Sequence, residues 1–224
     1  MDATRDDDVE TEAGVLTLYG SKGSGSAIVE AALAILGTEY RQVDGAEWER
    51  SAGFEEMKSI NPLAQIPTLV LEDGTVMTES SAILIHLGLV NPASGLLPAD
   101  ASRRASAIRG LVYITANCYA AIGVIDYPER WCRNADETTR QAIIAGTKTR
   151  LHGLWDVFAD QFPATPWLAG EQAGALDILA GVVSRWSGAR AHLAASKPAF
   201  VELLARIDTH PVLAPVWARH WKPS

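Results

Sequence analysis

The stretch Asn61-Pro62-Leu63-Ala64-Gln65-Ile66-Pro67-Thr68-Leu69 decides the fold of the first half of the chain. Pro67 opens a run of strand-forming residues, at the position where its missing backbone donor costs least. A cis Ile66–Pro67 bond, which costs an X-Pro pair only about 0.5–1 kcal/mol, would turn the Ile66 backbone outward. Its N–H and C=O would then pair with an extended peptide laid alongside, as in strand addition. A trans proline at a strand edge is the commoner alternative.

Strand and helix patterns alternate on both sides of this stretch. A helix that follows a glycine- and serine-rich loop is stopped by Gly37, and Asp73-Gly74 is typical of a hairpin. The predicted strands are Val15–Tyr19, Tyr40–Val43, Thr68–Leu71 and Thr75–Met77, and the predicted helices are Ile28–Leu36, Phe54–Ile60 and Glu79–Leu89. Together they make a small mixed sheet covered by helices.

The composition changes after residue 91. Asn91–Asp100 carries two prolines and no periodicity, which predicts a linker. Beyond it the patterns are helical only, at Ser102–Ile125, Glu137–Phe162, Leu176–Trp186, Pro198–Ile207 and Pro211–Trp221. We therefore predict a disordered acidic tail at 1–14, a mixed α/β domain at 15–91, a linker at 92–101 and an all-helical domain at 102–224.

Charge and composition exclude several classes of function. The 224 residues carry 19 Lys and Arg against 27 Asp and Glu, a net charge of −8 with neutral histidines, which argues against a nucleic-acid partner. No apolar run reaches the roughly 18 residues of a membrane span, and the acidic N-terminus is unlike a signal peptide. Cys118 and Cys132 form no disulfide or zinc pattern, and the five histidines are scattered singly. We expect a cytoplasmic protein that uses no metal and binds no membrane.

Two segments place polar groups beside a predicted helix N-terminus. The loop Gly20–Ser26 holds several hydroxyls there, which is a ready anion site, although its composition also predicts a plain flexible turn. Glu79 and Ser80 begin a helix whose free N–H groups can bind a carboxylate, whereas simple helix capping explains them as well. Chemistry alone leaves both interpretations open.

The order of these segments is more specific than any one of them. Strand, serine-rich loop, helix, Asn-Pro-x-x-Gln-Ile-Pro-Thr-Leu, hairpin, Glu-Ser-x-Ala-Ile and helical half together resemble the cytosolic glutathione transferase family over roughly residues 15–222. Pro166-Trp167-Leu168-Ala169-Gly170, which leads to Asp177, adds to the resemblance. It implies a thioredoxin-like N-terminal domain, an all-helical C-terminal domain, glutathione as co-substrate and usually a homodimer.

The resemblance also implies which residues bind glutathione. Pro67 matches the cis-proline of the family, and the Ile66 backbone would pair with the cysteinyl part of glutathione. Glu79 and Ser80 match the residues that hold the γ-glutamyl group, the acid taking its ammonium and the hydroxyl its carboxylate. Gln65 matches a position that often touches the glycyl end.

The catalytic position is carried over in the same way. Ser24 falls where serine-type members keep a hydroxyl that donates a hydrogen bond to the glutathione sulfur and so favours its thiolate form. Ser26 and Ser21 are the runners-up. The cysteine of beta-type members is replaced by Gly25, which weakens mixed-disulfide chemistry.

The electrophile would bind between the domains, beside the helix predicted at Ser102–Ile125. Tyr113 and Asn117 share one face of that helix at i, i+4, whereas Tyr119 does not. Tryptophans are expected to be packing residues, namely Trp131, Trp155, Trp167, Trp186, Trp217 and Trp221. Our first hypothesis is a glutathione transferase; the alternatives are a non-catalytic binding or scaffold protein of that fold and a glutathione-dependent disulfide reductase.

Overall fold

The computed structural model describes residues 14–168 and 170–222. The predicted acidic tail therefore lies outside the described residues, apart from Gly14. The first half contains one four-stranded sheet, with β1 (Thr17–Gly20), β2 (Arg41–Asp44), β3 (Thr68–Val70) and β4 (Val76–Met77) in the order β2-β1-β3-β4. β1 is parallel to β2 and antiparallel to β3, which places Leu18 opposite Leu69 in the core.

Three helices complete the first half: α1 (Ser26–Leu36), α2 (Ala52–Ile60) and α3 (Ser80–Val90). α1 ends at Gly37, whose φ of 64° is the left-handed conformation that glycine adopts without strain. The sheet order and these helices confirm the predicted thioredoxin-like arrangement. Every predicted strand and helix of this half is present, with ends shifted by up to two residues.

The second half is helical. Its elements are α4 (Ala101–Tyr113), a π-helical turn (Ile114–Tyr119), α5 (Ala120–Asp126), α6 (Glu137–Gln161), α7 (Ala175–Val183), α8 (Ala189–Ser196), α9 (Pro198–Asp208) and α10 (Ala214–His220). The all-helical prediction is confirmed, although α8 was not among the predicted helices. That helix is short and Ala-rich, and it follows Gly188 at φ 75° rather than a polar cap.

The two halves share one core. α1 packs against α3 on one side and against α7 and α10 of the helical half on the other, and its first eight residues are all buried. The N-terminus of α7 is held by the buried Asp177, whose carboxylate accepts from the N–H groups of Leu168 (2.9 Å) and Gly174 (3.0 Å). Burial outweighs these bonds and raises the pKa of Asp177 to about 6. The predicted domain boundaries stay a prediction.

One helical stretch, Ala101–Asp126, is long and apolar enough to cross a membrane by length and composition alone, with a mean hydropathy of 1.4 over 18 residues. Counting consecutive apolar residues missed it because Thr115 and Asn117 interrupt the run. Leu111, Ile114 and Cys118 of this stretch are fully buried in the shared core. One third of the 18-residue window is buried inside the structure.

Candidate functional site

A cleft of about 730 Å³ separates the two halves of the molecule. One wall, the sheet wall, is formed by residues 23–25, 61, 63–67 and 78–80. The opposite wall, the helical wall, is formed by residues between 115 and 131 and by Trp186. The structure brings all six of the predicted glutathione and catalytic residues to the sheet wall: Ser24, Gln65, Ile66, Pro67, Glu79 and Ser80.

The segment before β3 carries the Ile66–Pro67 bond, which is cis. The buried Asn61 holds this loop in place. Its side-chain amide donates to the carbonyl of Gln65 (3.0 Å) and to the hydroxyl of Thr68 (2.9 Å). Among the described residues, neither the N–H nor the C=O of Ile66 has a hydrogen-bond partner. A pair of backbone groups at the edge of a cleft is thus available to an extended ligand.

Glu79 stands at the start of α3 in an unusual backbone conformation, with φ 64° and ψ 108°. A non-glycine residue rarely adopts a positive φ, and such positions cluster at ligand sites. The Glu79 side chain is exposed in the cleft, and the Ser80 hydroxyl lies beside it on a largely buried residue. Within residues 14–168 and 170–222, neither side chain has a hydrogen-bond partner of its own, so capping does not use them.

The serine-rich loop presents only one of its three candidate hydroxyls to the cleft. Ser21 and Ser26 are buried, and Ser21 bonds to the carboxylate of Glu49. Ser24 is half-buried at the cleft, but its hydroxyl donates to the Ser21 carbonyl (2.7 Å) and accepts from the Ser26 N–H (3.2 Å). Ser24 therefore organises the first turn of α1, and the two runners-up lie behind it.

The loop is tied to the last helix of the chain. The N–H of Gly23 donates to Nδ1 of His220 (3.1 Å), and Nε2 of the same ring lies 2.7 Å from the buried carboxylate of Glu30. Arg219 also reaches Glu30, at 3.2 Å. Burial alone would raise the pKa of Glu30, but the hydrogen bonds and charges of His220 and Arg219 hold it below its ordinary value. We call His220, Glu30 and Gly23 the latch.

The structure corrects the predicted electrophile residues. The Tyr113 hydroxyl donates to the Leu154 carbonyl (2.9 Å) and its ring packs on Phe158, outside the cleft. Asn117 bonds back to the Tyr113 carbonyl and does not line the cleft either. The reason is the π-helical turn, in which the N–H of Ala120 reaches the carbonyl five residues back, so the i, i+4 face inferred from an α-helix does not apply.

Thr115 and Tyr119 line the cleft instead. The Tyr119 ring packs on Trp186, with ring centroids 5.4 Å apart. Burial, helped by the negative charges of Asp126 and Glu79, raises the pKa of Tyr119 to about 12. Its hydroxyl therefore stays protonated at neutral pH and acts as a hydrogen-bond donor.

Three tryptophans also border the cleft, contrary to the expectation that Trp131 and Trp186 only pack. Trp48 of the first half is 60% exposed and Trp131 of the second is 67% exposed, facing the opening. Trp155, by contrast, is fully buried as expected. The described residues contain no cluster of His, Cys, Asp or Glu that fits a metal ion.

Comparison with known proteins places this cleft in a family. Residues 26–89 match the N-terminal domain of glutathione S-transferases. The uncharacterized GST-like protein YncG of Escherichia coli (strain K12) is 32% identical over 173 residues, which cover 77% of this chain and 82% of YncG. The probable maleylacetoacetate isomerase of Caenorhabditis elegans is 44% identical over 69 residues, 31% of this chain and 30% of that protein.

Solved structures share the fold over nearly the whole chain. A glutathione transferase homologue from Sulfitobacter with bound glutathione superimposes with a TM-score of 0.79 at 23% identity, covering 90% of this chain and 96% of that one. The identity and coverage of the E. coli relative, with the domain match and the shared fold, agree with the resemblance first seen in the sequence. The chain belongs to the glutathione S-transferase family.

Proposed function

We propose that the protein is a glutathione transferase, which binds glutathione along the sheet wall and an electrophile against the helical wall. The observation that carries this proposal is the meeting in one cleft of the Ile66 backbone groups with the side chains of Glu79 and Ser80, none of which has a hydrogen-bond partner within residues 14–168 and 170–222. A short peptide that carries an ammonium and a carboxylate at one end is the ligand whose chemistry fits this set.

Glutathione matches the sheet wall group by group. Its cysteinyl unit pairs with the N–H and C=O of Ile66 as an added strand. Its γ-glutamyl ammonium meets the Glu79 carboxylate, and its γ-glutamyl carboxylate accepts from the Ser80 hydroxyl. Gln65, which is exposed on the same wall, contacts the glycyl end. The Sulfitobacter homologue, which holds glutathione on the same fold, supports this arrangement.

The reaction is addition or substitution by the glutathione sulfur. The thiol proton passes to solvent, and the thiolate lies near the N-terminus of α1, where the helix dipole favours negative charge. The sulfur then forms a bond to an electrophilic carbon. In substitution the leaving group departs with its bonding electron pair, and in addition the electron pair of the broken C–O or C=C π bond moves to oxygen, which takes a proton from solvent. The position of Ser24 in the family makes it the first candidate donor to the sulfur.

Calorimetric titration with glutathione tests this function. We expect Glu79→Ala to weaken binding by about 1.5–3 kcal/mol, the range for a hydrogen bond to a charged group. Glu72→Ala, which removes an exposed carboxylate from the β3–β4 turn, is the matched control and should bind like the wild type. A wild-type protein that binds no glutathione, or a Glu79→Ala variant that binds it normally, would contradict the proposal.

Three alternatives to the transferase are distinguished by measuring glutathione binding first and then activity on a panel of substrates. A protein that binds glutathione but turns over no aryl halide, epoxide or enone is the scaffold alternative, which is motivated by the lack of cysteine and tyrosine in the loop. Activity only on a glutathione mixed disulfide identifies a reductase. Activity on maleylacetoacetate, the substrate named for the C. elegans relative, identifies an isomerase.

We also propose a homodimer, as the family resemblance implies. Exposed apolar side chains at the end of α3 and on α4 support a contact with a second copy, namely Leu89, Val90 and Val112. Sedimentation equilibrium measures the assembly state directly. The cytoplasmic location stays a prediction.

A further inference from the structure

We propose that Tyr119, on the helical wall, donates the hydrogen bond that stabilises the glutathione thiolate, in place of a side chain from the serine-rich loop. This inference rests on the proposed glutathione transferase function. It assigns a catalytic role to a residue that neither the loop motif nor the family comparison singles out.

Gly25 provides the first step of the argument. It immediately precedes α1 with φ −63° and ψ −13°, a conformation open to every amino acid, so the backbone does not require glycine there. Space does. A β-carbon on Gly25 would clash with the Tyr119 hydroxyl oxygen and would lie 3.4 Å from Cδ of Pro67. The Tyr119 hydroxyl thus occupies the volume that a side chain at position 25 would fill.

The location of this hydroxyl relative to glutathione follows from the sheet wall. The cysteinyl unit pairs with Ile66, and Pro67 is its immediate neighbour in the chain. The β-carbon position of Gly25, which lies 3.4 Å from Pro67 Cδ, is next to the N-terminus of α1 and to the Tyr119 hydroxyl. A cysteinyl side chain that leaves the Ile66 pairing toward α1 brings its sulfur beside Tyr119.

Tyr119 is also the better donor of the two hydroxyls near this point. Among the described residues its hydroxyl has no hydrogen-bond partner, whereas that of Ser24 already donates to the Ser21 carbonyl. Packing against Trp186 fixes the ring. Its raised pKa keeps the proton on oxygen. The backbone N–H of Gly25 also has no partner in the part of the chain that the structure describes, and it supplies a second donor.

The charged groups around the hydroxyl come from several elements. Glu79 lies at the start of α3 and Asp126 at the end of α5, and Glu47 and Arg130 stand in short 3₁₀ turns on the two sides of the cleft. The two nearer carboxylates disfavour loss of the Tyr119 proton. Tyr119 therefore acts without ionising: the thiol proton goes to solvent, the tyrosine keeps its own, and nothing is oxidised or reduced.

The test is the pKa of the bound glutathione thiol, read from the ultraviolet absorbance of the thiolate against pH at saturating glutathione. We expect Tyr119→Phe to raise this pKa by about one to two units, the loss expected for one hydrogen bond to an ion. Turnover at neutral pH should fall about tenfold or more, while affinity measured below the thiol pKa stays within about twofold of the wild type. Tyr113→Phe, the same change on the same helix but outside the cleft, is the matched control.

Two further variants distinguish the role of the Tyr119 hydroxyl from that of Ser24, and test whether the hydroxyl matters beyond the space that it occupies. Ser24→Ala should move the thiol pKa less than Tyr119→Phe does. Gly25→Ala, which displaces the hydroxyl without removing it, should raise the thiol pKa, and adding Tyr119→Phe to it should raise it no further. An unchanged thiol pKa in Tyr119→Phe with glutathione bound, or a full shift in Ser24→Ala alone, overturns the assignment. A wild-type protein that binds no glutathione overturns the proposed function as well.

Discussion

The two walls of the cleft are built in different ways. The sheet wall takes its groups from residues 23–25, 61, 63–67 and 78–80, short segments in which backbone atoms and an unusual helix start present many of the contacts. The helical wall takes side chains from places far apart in the chain, including Thr115, Tyr119 and Trp186. Under the proposed function, the wall that faces glutathione relies largely on the backbone, whereas the wall that faces the electrophile relies on side chains that can be exchanged without changing the fold.

The largest expected effect concerns the support of the helical wall. We expect Asp177→Ala to lower the free energy of unfolding by about 3–5 kcal/mol, because two N–H groups lose a charged acceptor in a buried place. Urea unfolding followed by circular dichroism measures the loss. Asp136→Ala, which removes the exposed N-cap of α6, is the control and should cost much less. Equal losses in both variants would show that burial of Asp177 is unimportant.

The second prediction compares the walls as binding surfaces. Ser80→Ala should weaken glutathione binding about tenfold or more, since the γ-glutamyl carboxylate loses a donor. Thr115→Val, a change of similar size on the opposite wall, should leave glutathione affinity unaltered and raise the KM for the electrophile. Calorimetry and steady-state kinetics give the two quantities. A loss of glutathione affinity in Thr115→Val would mean that the helical wall also contributes to glutathione binding.

The smallest expected effect is the pH dependence of the latch, which joins the loop before α1 and α1 itself to α10 of the helical half. Glu30 has a lowered pKa in the folded state, so the stability it contributes is present above the ordinary pKa of about 4.3 and is lost as pH falls through the folded value. Glu30→Gln should therefore make the free energy of unfolding fall less steeply as the pH is lowered in the acid range. Thermal unfolding between pH 3 and 6, about the range in which carboxylates titrate, measures the change.

Two other carboxylates, those of Asp156 and Asp177, serve as comparisons for the pH dependence of thermal unfolding. Asp156→Asn alters a surface carboxylate paired with His192, which solvent screens, so its acid limb should change less. Asp177 acts in the opposite sense: its pKa is raised to about 6, so its contribution falls as pH rises from about 4 to 6. An acid limb in Glu30→Gln identical to that of the wild type would contradict the role given to the latch.

The residues predicted from the sequence to bind glutathione all lie on the sheet wall, because the information that locates them is local, and their roles in binding stay a prediction. A proline that opens a strand, a carboxylate beside a hydroxyl at a helix start and the order of both along the chain located Ile66, Glu79 and Ser80. Chemistry alone left ligand binding and capping equally open at Glu79. The positive φ there, with no bond made to the helix, favours ligand binding.

The helical wall was predicted poorly for physical reasons. Placing Tyr113 and Asn117 in the cleft assumed an α-helical period, and the π-helical turn changes which side chains share a face. The latch joins residues 190 positions apart, which no local pattern reveals. Gly25 did not point to Tyr119, because glycine is itself a common residue at a helix start, and the nearby hydroxyl is seen only in the structure.

The latch has a practical consequence for protein engineering. Nδ1 of His220 accepts from the Gly23 N–H, and Nε2 of the same ring lies 2.7 Å from the Glu30 carboxylate, so one imidazole ring connects the serine-rich loop and α1 to α10. A chimera that combined the first half of this chain with the helical half of another transferase would leave a buried carboxylate in α1 without its ring. The same exchange would release the loop that carries Ser24. The natural unit for recombination is therefore residues 14–90 together with α10, two pieces that are distant in the gene and adjacent in the fold.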